Sequence, residues 1–254
     1  MIMRTSKWFS HYKYKDSAEY NIFCFVHAGG SSGSFSGWAR NFGENINIIP
    51  VEYPMRERRF AEPMPDSIQE LAKNLAEENE DFFRDKKFAF WGHCTGGLVA
   101  FETAKYLSRN KNLNAEYLFI SSLTAPEFSQ VPDISGMSDG EFTDFITESG
   151  FVAKELCENK EILEYFMPIA RADFAVHRSY STDNVKLDIP IILFNGTDDS
   201  VNVSESQIDA WENYTSKGIV KHYYSGNHFY INEHLSEVCA ELTSYLTEKE
   251  KNYE

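Results

Sequence analysis

A short apolar run, Phe88-Ala89-Phe90-Trp91, passes directly into Gly92-His93-Cys94-Thr95-Gly96-Gly97 and then into a helix-like stretch from about Leu98. Few folds accommodate such a segment. A strand that turns sharply into a helix, with glycine on either side, projects its central side chain above the sheet edge. The pattern is G-x-S-x-G with cysteine in the serine place. The helix N-terminus behind it offers free N–H groups and a partial positive charge, both suited to a thiolate or an oxyanion. Cys94 is therefore the candidate nucleophile.

Two later segments extend this reading. The strand-like Ile189–Phe194 leads into Asn195-Gly196-Thr197-Asp198-Asp199, and Gly218–Tyr224 leads into Ser225-Gly226-Asn227-His228-Phe229. Nucleophile, acid and histidine, each after its own strand, follow the order of an α/β-hydrolase triad. His228 is the candidate base. Asp199 fits the G-x-x-D turn from Gly196, and Asp198 stands as the alternative acid. Upstream, Phe23-Cys24-Phe25-Val26-His27-Ala28-Gly29-Gly30 is an apolar strand ending in a glycine-rich turn. Such a turn supplies one oxyanion donor and the residue after the nucleophile the other, which nominates the N–H groups of Ala28 and Thr95. His27 and His93 flank the site as turn supports, His222 belongs to a strand and His234 to the closing helix. Asp173 reads as a partner of Arg171. Cys24, Cys157 and Cys239 lack C-x-x-C spacing and read as small buried hydrophobes, reduced in a cytoplasmic setting.

The wider pattern alternates strands and helices, which predicts an α/β fold, a mostly parallel sheet with helices on both faces. Expected strands are Asn21–His27, Ile46–Tyr53, Phe88–Trp91, Ala115–Ser121, Ile189–Asn195 and Ile219–Tyr224. Ser67 with Glu70, Ser138 with Glu141 and Ser204 with Gln207 carry the capping-box spacing. From about Ala125 to Tyr180 the alternation stops. Two helix-like runs there, Glu141–Ser149 and Lys160–Ala175, carry Phe142, Phe145, Ile146, Phe151, Leu163, Phe166, Met167 and Phe174. An apolar helical insertion in this place reads as a lid. The 254 residues are expected to form one domain.

A net charge of −15 argues against nucleic acid and anionic membrane as partners. No apolar stretch reaches the ~18 residues of a membrane span, and the start lacks a signal-peptide core. A cytoplasmic monomer is the expectation.

Several stretches together carry a more specific likeness: Phe25–Gly30, Tyr53-Pro54-Met55-Arg56-Glu57-Arg58-Arg59, the elbow, Met167–Phe174 and Gly226-Asn227-His228-Phe229-Tyr230. In this order, from about Asn21 to about Leu246, the chain resembles the type II (external, editing) thioesterases of nonribosomal peptide and polyketide assembly lines. The family normally has serine where this chain has Cys94 and glycine where it has Met55. The resemblance implies hydrolysis of acyl or aminoacyl groups from phosphopantetheine carrier proteins, with no cofactor or metal beyond the arm that the substrate carries. Carrier proteins are usually acidic, so the basic cluster Arg56, Arg58 and Arg59 is a candidate docking contact; the plainer alternative is surface pairing with Glu52, Glu57 and Glu62. Cysteine in place of serine gives a thioester intermediate, nearly level in energy with the substrate. An acyl shuttle between carriers is thus the rival reading, and a carrier-binding scaffold with a dead site a third.

Overall fold

The computed structural model describes residues 6–9, 14–149, 159–199 and 204–247. Six strands, β1 (Tyr20–Phe25), β2 (Ile46–Pro50), β3 (Lys87–His93), β4 (Leu118–Ser121), β5 (Ile191–Gly196) and β6 (Ile219–Tyr224), form one sheet. Its order is β2-β1-β3-β4-β5-β6, with every pairing parallel. Among the described residues the helices are α1 (Ile68–Glu78), α2 (Glu80–Asp85), α3 (Thr95–Lys111), α4 (Asp139–Glu148), α5 (Lys160–Arg178), α6 (Glu205–Asp209) and α7 (Ile231–Thr247).

Parallel strands need both faces covered, so their residues run apolar without alternation. Ile191-Ile192-Leu193-Phe194 does so, and every residue of β1, β2, β4 and β5 is buried. The edge strand β6 is only half-buried. Right-handed crossovers put the connections β2 to β3 and β3 to β4 on one face, where α1 packs against α3. The 3₁₀ turn Trp38–Asn41 follows β1 and packs against α7.

All six expected strands form; β6 has the expected bounds, β3 runs past them at both ends, and the others shift or shorten at their ends. β5 begins at Ile191 because Pro190 has no N–H for the ladder, although its carbonyl accepts from Leu118 at 3.1 Å. Of the three expected capping boxes, only that of Ser138 and Glu141 closes reciprocally. Ser67 Oγ accepts from Glu70 N–H at 3.1 Å, but the Glu70 carboxylate accepts from Asp66 N–H instead. Ser204 makes no cap; its hydroxyl bonds that of Ser206 at 2.8 Å.

The chain runs from β1 out to β2, returns past β1 to β3, and then proceeds in one direction to β6. The carboxyl ends of β1 and β3 therefore flank the point where strand order reverses, the usual crevice of an open α/β sheet. Between β4 and β5, α4 and α5 lie above this crevice. Phe142, Ile146, Met167 and Phe174 form an apolar cluster with Ala28 and Cys94, apart from the main core. Phe151 and Cys157 lie outside the described residues. Among those described, no helix is long and apolar enough to cross a membrane.

Candidate active site

Cys94 stands at the carboxyl end of β3 as the N-cap of α3, with φ 52° and ψ −127°. A non-glycine residue rarely adopts this conformation, and the surrounding contacts hold it there. Its N–H donates to the Ser121 carbonyl at 2.8 Å, and its carbonyl accepts from Gly97 at 2.8 Å. A Cβ on Gly92 would lie 2.5 Å from the Gly96 carbonyl oxygen, and one on Gly96 would lie 2.4 Å from that of Phe25. The elbow is thus wedged between its own helix and β1, which explains the glycines.

The turns after β5 and β6 meet just as closely. A Cβ on Gly196 would lie 2.3 Å from the Asn227 carbonyl. This contact brings His228 Nδ1 to 2.9 Å from Asp199 Oδ2, both side chains buried. Asp198 is exposed, and its carboxylate accepts from the Thr197 hydroxyl at 3.3 Å. Burial alone would lower the His228 pKa, but the adjoining Cys94 and the hydrogen bond to Asp199 outweigh it and raise it to about 10. The imidazole ring therefore faces the Cys94 sulfur on one side and a carboxylate on the other.

Ala28, just past β1, and Thr95, the first residue of α3, flank Cys94, and both are buried. Each adjoins a group anchored by α5. Gly29 N–H donates to Asp173 Oδ2 at 2.7 Å. Arg56 holds the same carboxylate with both terminal nitrogens, at 2.9 and 2.6 Å, and donates to the Gly30 carbonyl at 2.8 Å. One turn further on, His177 Nδ1 lies 2.8 Å from Thr95 Oγ1, and its Nε2 lies 3.0 Å from Ser129 Oγ. Burial lowers the His177 pKa to about 4, so the ring is neutral. Sequence reasoning missed His177. Its signal was the i, i+4 spacing from Asp173, which sets two polar groups on the apolar face of one helix.

Of the three arginines nominated for docking, two point inward, and the pairing with Glu52 and Glu62 offered as the plainer alternative forms. Arg56 and Arg59 are 1% and 3% exposed. Arg59 lies 3.9 Å over the Trp8 ring and pairs with Glu62 at 2.8 Å. Arg58 is exposed, but it pairs at 3.0 Å with the buried Glu52. Buried carboxylates must be paired, so Asp173 draws Arg56 inward and Glu52 draws Arg58 across. Asp173 accordingly belongs to Arg56 and not, as expected, to Arg171, which pairs with Asp139 at 3.0 Å and covers the Phe142 ring.

His93 Nδ1 lies 2.9 Å from Ser121 Oγ, with its ring 5.2 Å from that of His228. Burial and then the charge of His228 hold its pKa well below the ordinary value. His27 is likewise lowered to about 4, chiefly by burial. Away from the site, His222 bonds Tyr245 at 2.8 Å and His234 bonds Glu237 at 3.0 Å. Cys24 and Cys239 are free and buried, and burial raises the Cys24 thiol pKa well above its ordinary value.

The thioesterase domain family matches residues 20–246. The protein described as thioesterase PikA5 of Streptomyces venezuelae is 27% identical, over 94% of this chain and 85% of its own length. The gramicidin S biosynthesis protein GrsT of Aneurinibacillus migulanus is 29% identical, over 98% of each. Among solved structures, YbtT, described as a type II thioesterase from the yersiniabactin NRPS/PKS biosynthetic pathway, matches with a TM-score of 0.79 and 30% identity, covering 90% of this chain and 92% of its own. With its six-stranded parallel sheet and its elbow in the α/β-hydrolase arrangement, the chain belongs to the thioesterase domain family and is a hydrolase of thioester bonds.

Proposed function

We propose that this enzyme removes acyl or aminoacyl groups from the phosphopantetheine arms of carrier proteins in a nonribosomal peptide or polyketide assembly line. Cys94 is the nucleophile, His228 the base and Asp199 the orienting acid. The observation that carries this reading is the buried His228–Asp199 pair set against Cys94 at the elbow. The relatives named above support the substrate class.

In the first half-reaction the Cys94 proton passes to His228 and the sulfur attacks the thioester carbonyl. The N–H groups of Ala28 and Thr95 stabilise the tetrahedral oxyanion. The carbon–sulfur bond to pantetheine then breaks, and the departing thiol takes the proton from His228. Water, deprotonated by His228, attacks the Cys94 thioester and releases the acid, leaving the thiol restored. Asp199 keeps the imidazole in the tautomer that both halves require. The apolar cluster of α4 and α5 covers the acyl group as a lid.

The test supplies acyl-loaded carrier together with an empty second carrier and weighs every species. Free acid should accumulate, and a trapped acyl group should map to Cys94. Cys94→Ala should abolish turnover, whereas Cys94→Ser should retain a measurable rate because base and oxyanion donors are unchanged. Acyl groups appearing on the second carrier would reassign the enzyme to transfer. Undiminished turnover by Cys94→Ala would remove the mechanism.

A further inference from the structure

Thr95 opens α3 directly after the nucleophile, and its hydroxyl is held from a distant part of the chain. Thr95 Oγ1 lies 3.9 Å from Cys94 Sγ and 2.8 Å from His177 Nδ1. The far nitrogen of the same ring, Nε2, lies 3.0 Å from Ser129 Oγ. All three residues are buried. They come from the elbow, from α5 and from the segment between β4 and α4, so one neutral imidazole ties three parts of the chain beside Cys94. Each end of the bridge is a hydroxyl, which can donate or accept, so the connection holds in either tautomer of the ring.

The first turn of α3 needs such a tie. In Thr95-Gly96-Gly97 only the threonine carries a side chain. The two glycines allow close approach: a Cβ on Gly96 would lie 2.4 Å from the Phe25 carbonyl, and one on Gly97 would lie 2.7 Å from the Leu123 side chain. Contacts of that kind stop the turn from moving inward but do not pull on it. The hydrogen bond from Thr95 to His177 does. An oxyanion donor works only if it is fixed in advance where the charge will develop. One turn earlier on α5, Asp173 fixes the Gly29 amide beside Ala28 at 2.7 Å. We propose that His177 is a positioning residue of the oxyanion site, which through the Thr95 hydroxyl fixes the Thr95 N–H where the tetrahedral intermediate needs it. This inference rests on the Cys94 mechanism above.

The two ring nitrogens allow the test to separate positioning from packing. Asparagine sets a polar atom near the place of Nδ1, and glutamine sets one near that of Nε2. His177→Asn therefore keeps the bond to Thr95 and gives up the one to Ser129, while His177→Gln does the reverse. On one acyl thioester, His177→Gln should lower kcat by about 10²-fold with KM within about twofold, the pattern of a contact that matters only in the transition state. His177→Asn should keep at least about a third of the parent kcat. Alkylation of Cys94 by iodoacetamide develops no oxyanion and should change less than about twofold in either variant. A trifluoromethyl ketone, whose carbonyl carbon takes the Cys94 sulfur while its oxygen becomes the oxyanion, should bind His177→Gln more weakly by the same factor as kcat falls. Thr95→Val removes the hydroxyl and keeps the N–H; it should reproduce the glutamine pattern and serves if His177→Gln does not fold. Equal kcat in the glutamine and asparagine variants, or a kcat loss matched by an equal loss in alkylation, would overturn the assignment. Turnover that survives Cys94→Ala would overturn it together with the mechanism it rests on. Cys94-dependent turnover that is unchanged in both His177→Gln and Thr95→Val would overturn it alone.

Discussion

Asp198 and Asp199 carry the same carboxylate one residue apart, and only the turn geometry distinguishes them. Asp199 is buried against His228 Nδ1, while Asp198 points to solvent. Asp199→Asn should thus lower kcat by about 10⁴, the loss expected when an imidazole is left in the wrong tautomer. Asp198→Asn should stay within a few-fold. Steady-state rates on one acyl thioester decide it, and the reverse ranking would move the acid to Asp198. The residue types and order of this constellation were legible because each follows its own strand. The fates of Arg56 and Arg59 were not, since a charged residue in a chain gives no direction for its side chain. For Arg56 the missing information was Asp173, held inside on a largely apolar helix face and requiring a cation; for Arg59 it was the Trp8 ring and the Glu52 carbonyl.

At the scale of elements, α5 is both cover and brace. It places Phe174 in the apolar cluster with Cys94 and fixes the turn after β1 through Asp173. Arg56→Met would leave that carboxylate buried and uncompensated, so it should cost about 3–5 kcal/mol in urea unfolding. Turnover of a small thioester and of an acyl-carrier should fall together and independently of salt. A selective, salt-sensitive loss on the carrier would instead restore a docking role. Strands were legible from apolar runs between turn residues; the capping of α6 was not, because the Ser204 hydroxyl has a nearer partner in Ser206. Met55 shows the same limit. Its φ is 65°, which accounts for the glycine typical of the resembled family, yet its N–H is held by the Arg59 and Glu62 carbonyls at 3.1 and 3.0 Å. Hydrogen bonds that close this turn impose a conformation that the residue's own preference resists.

For the whole molecule, the buried imidazoles set the response to pH in two opposing directions. His177 titrates at about 4 when folded and near 6.5 when unfolded, so between these values the unfolded chain binds more protons. Stability should fall as pH drops from 6.5 to 4, by up to about 3 kcal/mol from His177 alone, with His93 adding in the same direction. His228 behaves oppositely. Its raised pKa contributes stability fully below about 6.5, and that contribution is lost as pH rises toward 10. Unfolding free energies measured across pH 4–10 should pass through a maximum near neutrality. A flat profile between 6.5 and 4 would show that neither His177 nor His93 is held neutral.

Asp173 and His177 sit four residues apart on α5, a rise of about 6 Å, and they grip the turns that leave β1 and β3, strands spaced about 4.8 Å apart. One helical turn is therefore nearly commensurate with one strand spacing. The helix acts as a ruler laid across two strand ends, tied to the Gly29 amide at one mark and the Thr95 hydroxyl at the next. Substitutions elsewhere along α5 leave those graduations in place. Insertion or deletion of a single residue between them would turn one mark by about 100° away from its strand. Length in this stretch is therefore constrained more tightly than composition.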